Sequence, residues 1–82
     1  DKKVSSSFPL NSNTFYKSVS NYKGNGNFIT HIVNGSTGAT EVFLTNEINS
    51  VSNFQKSFQV TISTNYIIDV QASGSWTISI SK

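Results

Sequence analysis

The feature that most constrains this chain is a regular alternation of apolar and polar side chains over its C-terminal third. Between residues 54 and 62 the even positions are apolar, Lys56 excepted, and the odd positions hold Gln, Ser or Thr. The same period recurs over residues 66–72 and 76–80, with turns predicted at 63–65 and at Gly74. A period of two indicates a strand with one buried face. We therefore expect three consecutive antiparallel strands here, each pairing with the next.

Three further strands are predicted upstream, at residues 14–20, 28–33 and 40–45. Clusters of Asn and Gly separate them, as turns require. The pair Asn34-Gly35 suits a tight turn, although the residues after it imply a longer hairpin loop. The third strand shows no clean alternation around Val42-Phe43-Leu44.

Two segments are not predicted to be strands. Residues 46–53 are expected to be a polar connection, either a crossover or a short helical turn. Residues 1–7 are polar and lack periodicity, so we expect a flexible N-terminal tail. Residues 8–82 then form one domain, because 82 residues are too few for two.

Composition sets the fold class. Val, Ile and Thr supply 23 of the 82 residues, and the chain has two alanines, two leucines and no methionine. Because β-branched side chains fit a pleated, half-buried surface, this usage predicts an all-β fold. Six short strands joined by Asn, Gly and Ser turns favour a small antiparallel β-sandwich of about six to eight strands.

Charge and cysteine usage narrow the classes of function. The chain has no cysteine, so disulfides, thiolate catalysis and sulfur-based metal sites are excluded. Its six lysines are scattered and it has no arginine, which argues against nucleic-acid binding. No apolar run approaches the 20 or so residues of a membrane span. Ser, Thr and Asn make up 33 residues, a surface typical of secreted or cell-surface β modules, so we expect that location.

The titratable residues form no catalytic or metal-binding pattern. Glu41 and Glu47 would lie about 20 Å apart on an extended strand, too far for a carboxylate pair. His31 is the single histidine, and its position within a strand indicates a structural or exposed residue. Asn46, Glu47 and Asn49 hold only one carboxylate, which is weak for calcium. We therefore predict no enzyme activity, no metal and no cofactor.

The candidate ligand-binding residues are two tyrosines beside a turn rich in amides. We expect Tyr16 and Tyr22 to be exposed near Asn25 and Asn27, where a ring can stack on a sugar while amides bond its hydroxyls. The other aromatic residues have the phase of buried side chains and are assigned to the core: Phe28, Phe54, Phe58, Tyr66 and Trp76. An ordinary hairpin loop is the alternative interpretation of the tyrosine segment.

Two segments carry a resemblance to a known family. Gly24-Asn25-Gly26-Asn27-Phe28 and the later segment from Tyr66 through Trp76-Thr77-Ile78 to Ile80 resemble the pre-peptidase C-terminal type of domain. The resemblance covers residues 24–80. It implies a jelly-roll-like sandwich completed by a C-terminal hairpin, and an exported bacterial accessory module without catalysis. The acidic, calcium-prone loop residues of that family are missing here.

These observations predict a non-catalytic secreted or cell-surface module that binds a carbohydrate, a cell-envelope polymer or a protein. The alternative is a small cationic secreted effector, antimicrobial or toxin-like, that acts on bacterial envelopes. The alternative requires Lys17, Lys23 and Lys56 to converge on one face, with activity that salt screens. The oligomeric state stays open at this point.

Overall fold

The chain forms eight antiparallel strands and no helix over residues 2–82, which a computed structural model describes, with side chains from residue 3 onward. The predicted fold class, a small all-β antiparallel sandwich of six to eight strands, is confirmed. The strands are β1 (Lys2–Val4), β2 (Phe8–Leu10), β3 (Tyr16–Lys23), β4 (Asn27–Asn34), β5 (Thr40–Ile48), β6 (Val51–Phe58), β7 (Thr64–Ala72) and β8 (Ser75–Ser81).

The strands form a five-stranded and a three-stranded sheet. The larger sheet has the order β1-β7-β4-β5, with β2 also paired to β7, and the smaller has the order β6-β3-β8. The three strands predicted to pair in sequence therefore do not do so. β6 and β8 both flank β3, while β7 lies at the centre of the other sheet. The alternation identifies which face of a strand is buried, but it carries no information about the neighbouring strand.

The short turn at Ser73 and Gly74 consequently moves the chain from one sheet to the other and does not close a hairpin. A Cβ atom at Gly74 would overlap the backbone carbonyl oxygen of Lys23. Only glycine fits where two backbones approach this closely. The closing hairpin expected between Tyr66 and Ile80 is thus replaced by a sheet-to-sheet connection.

The N-terminal segment differs from the expected tail over the residues that the structure describes. Lys2–Val4 pairs with residues 69–71 of β7. Ser5 continues the contact, because its backbone N–H donates to the Ile68 carbonyl at 3.0 Å. Backbone pairing at a sheet edge needs no apolar periodicity, which is why the sequence pattern gave no signal. Asp1 lies outside the described residues.

The predicted connection at residues 46–53 is mostly strand. β5 continues to Ile48 and β6 begins at Val51, so the crossover between the sheets is a tight turn at Asn49 and Ser50 with no helical turn. Asn49 has a φ of 75°, a conformation that Asn tolerates better than most residues. Two register shifts against β4 explain the missing alternation in β5.

The core between the sheets has two adjoining clusters, one toward each end of β3. The Tyr16 cluster contains Leu10, Tyr16, Ile32, Leu44, Phe58, Val60 and Tyr66. The Tyr22 cluster contains Tyr22, Phe28, Ile68, Val70 and Ala72. Phe8, Ile78 and Ile80 pack against both clusters. The alternation predicted for residues 66–72 is confirmed, since Tyr66, Ile68, Val70 and Ala72 are all buried.

Candidate functional site

The tyrosines predicted to bind a ligand are core residues. Tyr16 is 6% and Tyr22 3% exposed. The strand predicted to end at residue 20 continues to Lys23, so both rings lie on the inward face of β3. Asn25 and Asn27 are exposed, as expected. An exposed tyrosine among amides is therefore not present at this turn.

The Tyr22 side chain instead fixes the turns around it. Its ring stacks on Phe28 with centroids 4.6 Å apart and planes 8° from parallel. Its hydroxyl lies 2.8 Å from Ser73 Oγ and donates to the Gly26 carbonyl at 3.2 Å. The hydrogen bond with the Ser73 side chain lowers the Tyr22 pKa below its usual value. Tyr22 thus connects the β3–β4 turn to the β7–β8 turn.

Two adjoining surface grooves lie at this end of the molecule and share Ser75 and Trp76. We call them together the Trp76 groove. The first, of about 490 Å³, is lined by Asn21, Tyr22, Lys23, Ser50, Val51, Ser52, Ser75, Trp76 and Thr77. The second, of about 440 Å³, is lined by Lys3, Ala72, Ser73, Gly74, Ser75 and Trp76.

The pairing of β3 with β8 determines how these side chains are presented. Tyr22 pairs with Trp76, so the indole has the inward phase, yet it is only half-buried because β8 is an edge strand. Asn21 pairs with Thr77 and has the outward phase. The groove therefore combines an aromatic surface from the inner face with hydrogen-bonding groups from the outer face.

The Asn21 amide is held in place by its neighbours. Its Oδ1 atom accepts a hydrogen bond from the Asn53 backbone N–H at 2.8 Å, and its Nδ2 atom donates to Thr77 Oγ1 at 3.4 Å. Asn53 has a φ of 54° and lies at a register shift between β3 and β6. Bulges of this kind redirect side chains, here toward one wall of the groove.

The charge of the Trp76 groove is positive and low. Lys3 and Lys23 are the only fully charged side chains that line it, and neither contacts a carboxylate within residues 3–82. The lining residues include no carboxylate and no histidine. Chemically, the groove can stack an apolar face on the indole, hydrogen-bond hydroxyl groups and attract a negative charge.

His31 has a structural position away from this groove. Its Nε2 atom lies 3.4 Å from Asp69 Oδ2, and its ring is tilted against Phe43 with centroids 5.3 Å apart. The pair bridges β4 and β7, whose register places His31 opposite Asp69. Within the described residues, no three His, Cys, Asp or Glu side chains are placed to hold a metal ion.

The lysines needed for a cationic effector do not share one face. Lys17 and Lys23 both have the outward phase of β3. Lys56 pairs with Ser18, which is fully buried, so Lys56 has the inward phase. The convergence required by that alternative is absent from the part of the chain that the structure describes. Glu41 and Glu47 lie six residues apart on β5, and Glu41 accepts bonds from Thr61 at 2.6 Å.

Sequence reasoning did not identify the groove. The prediction that Trp76 belongs to the core is confirmed in part, because Trp76 packs against the Tyr22 cluster but is only half-buried. Asn21 lies on β3 and not in the turn predicted after residue 20. The alternation around Trp76 was visible, but its partial exposure follows from the position of β8 at a sheet edge, which requires the strand order. Extending β3 by three residues, in phase with Tyr16 and Ser18, would have placed Asn21 on the outward face.

Comparison with protein-family models, curated proteins and solved structures finds no match to the chain. The resemblance to pre-peptidase C-terminal domains therefore stays a prediction. It depends on the residues given for it above. In the described part of the chain, no helix is long and apolar enough to cross a membrane.

Proposed function

We propose that this chain is a non-catalytic binding module and that the Trp76 groove holds a carbohydrate, in particular a cell-envelope polymer. The observation that carries the proposal is the half-buried Trp76 indole, shared by two adjoining grooves and surrounded by hydroxyl and amide groups. A pyranose ring has an apolar C–H face that stacks on an aromatic ring and hydroxyls that need hydrogen-bond partners. An apolar surface with a few placed polar groups meets both needs.

The lining residues support binding without chemistry. Glycoside hydrolysis generally uses two carboxyl groups that flank the bond, and neither groove is lined by one. Both grooves are open to solvent, a shape that suits a polymer bound along its length better than a small enclosed ligand. A secreted or cell-surface location is part of the proposal and depends on the composition argument.

The test is a glycan and cell-wall polysaccharide array at low and at physiological salt, followed by titration of the intrinsic fluorescence. Trp76 is the only tryptophan in the chain, so its emission reports directly on occupancy of the groove. We expect saturable binding that persists at physiological salt and shifts the Trp76 emission. Binding to anionic polymers that disappears at physiological salt would instead support the cationic effector.

Substitutions then locate the binding site. Trp76→Ala should weaken binding at least about thirtyfold, the usual size of a central aromatic contact, and Trp76→Phe should retain part of the affinity. Thr77→Val removes one hydroxyl of the groove while keeping the side-chain shape. Phe15→Ala is the matched control, because Phe15 is 72% exposed and precedes the opposite end of β3. If Trp76→Ala binds as tightly as Phe15→Ala, the site assignment is wrong.

A further inference from the structure

The four edges of the two sheets differ in how far they resist pairing with another strand. An edge strand presents unpaired backbone N–H and C=O groups, and folded proteins protect such edges with bulges, inward-pointing charges, proline or very short strands. Here the edges are β5 and the β1–β2 side in the larger sheet, and β6 and β8 in the smaller one.

Both edges of the five-stranded sheet carry such protection. β5 has two register shifts against β4, which distort its outer edge. β1 and β2 are three residues long, and β2 contains Pro9. Lys3 pairs with Val70, which is buried, so the Lys3 side chain has the inward phase and is nevertheless exposed. A neighbouring strand would have to bury this charge.

The β6 edge of the three-stranded sheet is protected in the same way. Lys56 has the inward phase opposite buried Ser18 and is exposed. The register shift near Asn53, whose φ is 54°, further distorts the edge. A strand added to β6 would meet an inward-pointing charge and an irregular backbone.

β8 has none of these features. Its seven residues pair with β3 without a register shift, from Ser75 opposite Lys23 to Ser81 opposite Lys17. The strand contains no charged residue, no proline and no glycine. Its inward side chains, Trp76, Ile78 and Ile80, are only half-buried, although they contact the core. β8 therefore leaves both its backbone edge and its apolar row incompletely covered.

We propose that β8 pairs with β8 of a second copy of this chain, antiparallel and centred on Ile78. The two three-stranded sheets would then join into one six-stranded sheet. A two-fold interface requires that residue i contacts residue j and that j contacts i. With Ile78 on the axis, Trp76 faces Ile80 of the second copy and Thr77 faces Ser79 of the second copy. Apolar residues meet apolar ones on the inner face, and hydroxyls meet hydroxyls on the outer face.

The pattern of β8, which is complementary to itself about Ile78, favours a second copy, and its lack of charge removes the repulsion that two like strands would otherwise meet. Two like strands bring identical charges near one another, and like charges directly opposite destabilise a pair. Between Ser75 and Ser81 there is no charge to repel its counterpart. Trp76 lies on β8 itself, so this pairing places it against Ile80 of the second copy, whereas the Asn21 and Lys23 wall of the Trp76 groove lies on β3, one strand away from the new contact.

The oligomeric state tests this inference independently of any ligand. Light scattering coupled to gel filtration should give twice the 9.0 kDa monomer mass at high concentration, with dissociation on dilution. Ile78→Lys gives β8 the inward charge that β6 already has, and it places two introduced charges opposite one another. We expect it to weaken dimerisation at least about a hundredfold. The matched control, Ser79→Lys, adds the same charge on the outer face and should leave the dimer intact.

A cross-linking experiment keeps the inference testable if Ile78→Lys fails to fold. The chain has no cysteine, so Ile78→Cys introduces a single thiol on the proposed axis. Directly opposed residues of antiparallel strands have Cα atoms about 4.5–5.5 Å apart, within the range of a disulfide. This variant should form a covalent dimer at least about tenfold faster than Ser57→Cys, on the exposed side of β6. A monomer at every concentration, with equal cross-linking rates, would overturn the inference.

Discussion

The two ends of the core have the same packing arrangement but differ in how far they are covered. At each end a tyrosine of β3 stacks on a phenylalanine: Tyr16 on Phe58, with centroids 5.7 Å apart, and Tyr22 on Phe28, at 4.6 Å. At each end a loop fixes the tyrosine hydroxyl. Tyr16 accepts a bond from the Asn11 backbone N–H at 2.8 Å, and Tyr22 bonds to the turns beside it. Yet the Tyr16 end is closed, while the Tyr22 end borders the Trp76 groove.

Loop length accounts for the difference. The connection from β6 to β7 spans residues 59–63 and carries Val60, which is 3% exposed and fills the Tyr16 cluster. The connection from β7 to β8 is only Ser73 and Gly74, too short to carry an apolar side chain back over the core. In this sandwich the longer connection therefore covers the core at the Tyr16 end, and the shorter turn leaves the Tyr22 end open. The predictions below test whether the two ends differ in stability as they do in shape.

The largest effect is expected at the fully buried aromatic residues. Tyr66→Ala at the closed end and Phe28→Ala at the groove end remove side chains with no exposed surface. Each should lower the free energy of unfolding by about 3–5 kcal/mol, the usual cost for an aromatic residue in a core. Urea denaturation measures both. If Phe28→Ala lowers the free energy of unfolding much less than Tyr66→Ala, the groove end is more loosely packed than the Tyr16 end, although both side chains are fully buried.

The next largest loss of stability is expected when the hydroxyl group of either tyrosine is removed. Tyr22→Phe removes a hydroxyl that bonds to Gly26 and Ser73, whereas Tyr16→Phe removes the acceptor for one N–H group. We expect losses of about 1–2 kcal/mol for Tyr22→Phe and about 1 kcal/mol for Tyr16→Phe. Thermal unfolding at neutral pH is the measurement. Equal losses would mean that the additional hydrogen bond of the Tyr22 hydroxyl adds nothing to stability, and no loss in Tyr22→Phe would mean that this hydroxyl does not hold the two turns together.

At alkaline pH we expect the two ends of the core to contribute differently to stability, because the pKa shifts of Tyr66 and Tyr22 have opposite directions. Burial and the nearby Glu41 charge raise the pKa of Tyr66, while the Ser73 hydrogen bond lowers that of Tyr22. A tyrosine whose pKa is raised in the folded state stabilises the protein below its ordinary pKa near 10, and this stabilisation is lost as the pH rises further. A tyrosine whose pKa is lowered in the folded state has the opposite effect, so its contribution to stability grows with pH. From pH 9 upward we expect Tyr66→Phe to lose stability less steeply than wild type, and Tyr22→Phe more steeply.

Urea midpoints measured at intervals across that alkaline range provide the comparison. Lysine deprotonation affects the wild type and both variants alike, so the differences between them isolate the tyrosines. If the urea midpoints of all three proteins change in parallel with pH, neither tyrosine hydroxyl has a pKa in the folded state that differs from its pKa in the unfolded state.

The sequence predicts which face of a strand is buried, but it does not predict which strands lie next to one another in a sheet. Alternation correctly placed Tyr66, Ile68 and Val70 inside, because burial of one face is a property of a single strand. The strand order could not be read in this way, since β6 and β8 have similar patterns and either could have paired with β7. The Trp76 groove depends on that order. A half-buried indole exists here only because β8 has a neighbour on one side.

The prediction that Tyr16 and Tyr22 are exposed is wrong for a more local reason. Asn21 and Lys23 next to Gly24 resembled the start of a turn, yet alternation from Tyr16 to Tyr22 is regular on the inward side. Two serines, Ser18 and Ser20, hid that regularity, because both are fully buried although polar. Because these two hydroxyl residues interrupt the apolar period on the inward side of β3, the sequence predicts no buried face for this strand.

The smallest expected effect concerns those two serines, which lie between the two ends of the core. Ser18 Oγ donates to the Lys56 carbonyl at 3.5 Å, whereas Ser20 Oγ has no partner among the described residues. A buried hydroxyl without a partner is unfavourable, so Ser20→Ala should raise the free energy of unfolding by about 0.5–1 kcal/mol. Ser18→Ala is the control and should be neutral or lower it by a few tenths, because its hydrogen bond is long. Urea denaturation of both variants under identical conditions resolves this difference. A loss of stability in Ser20→Ala would mean that the Ser20 hydroxyl has a hydrogen-bond partner in solution, and that this part of the core is hydrated.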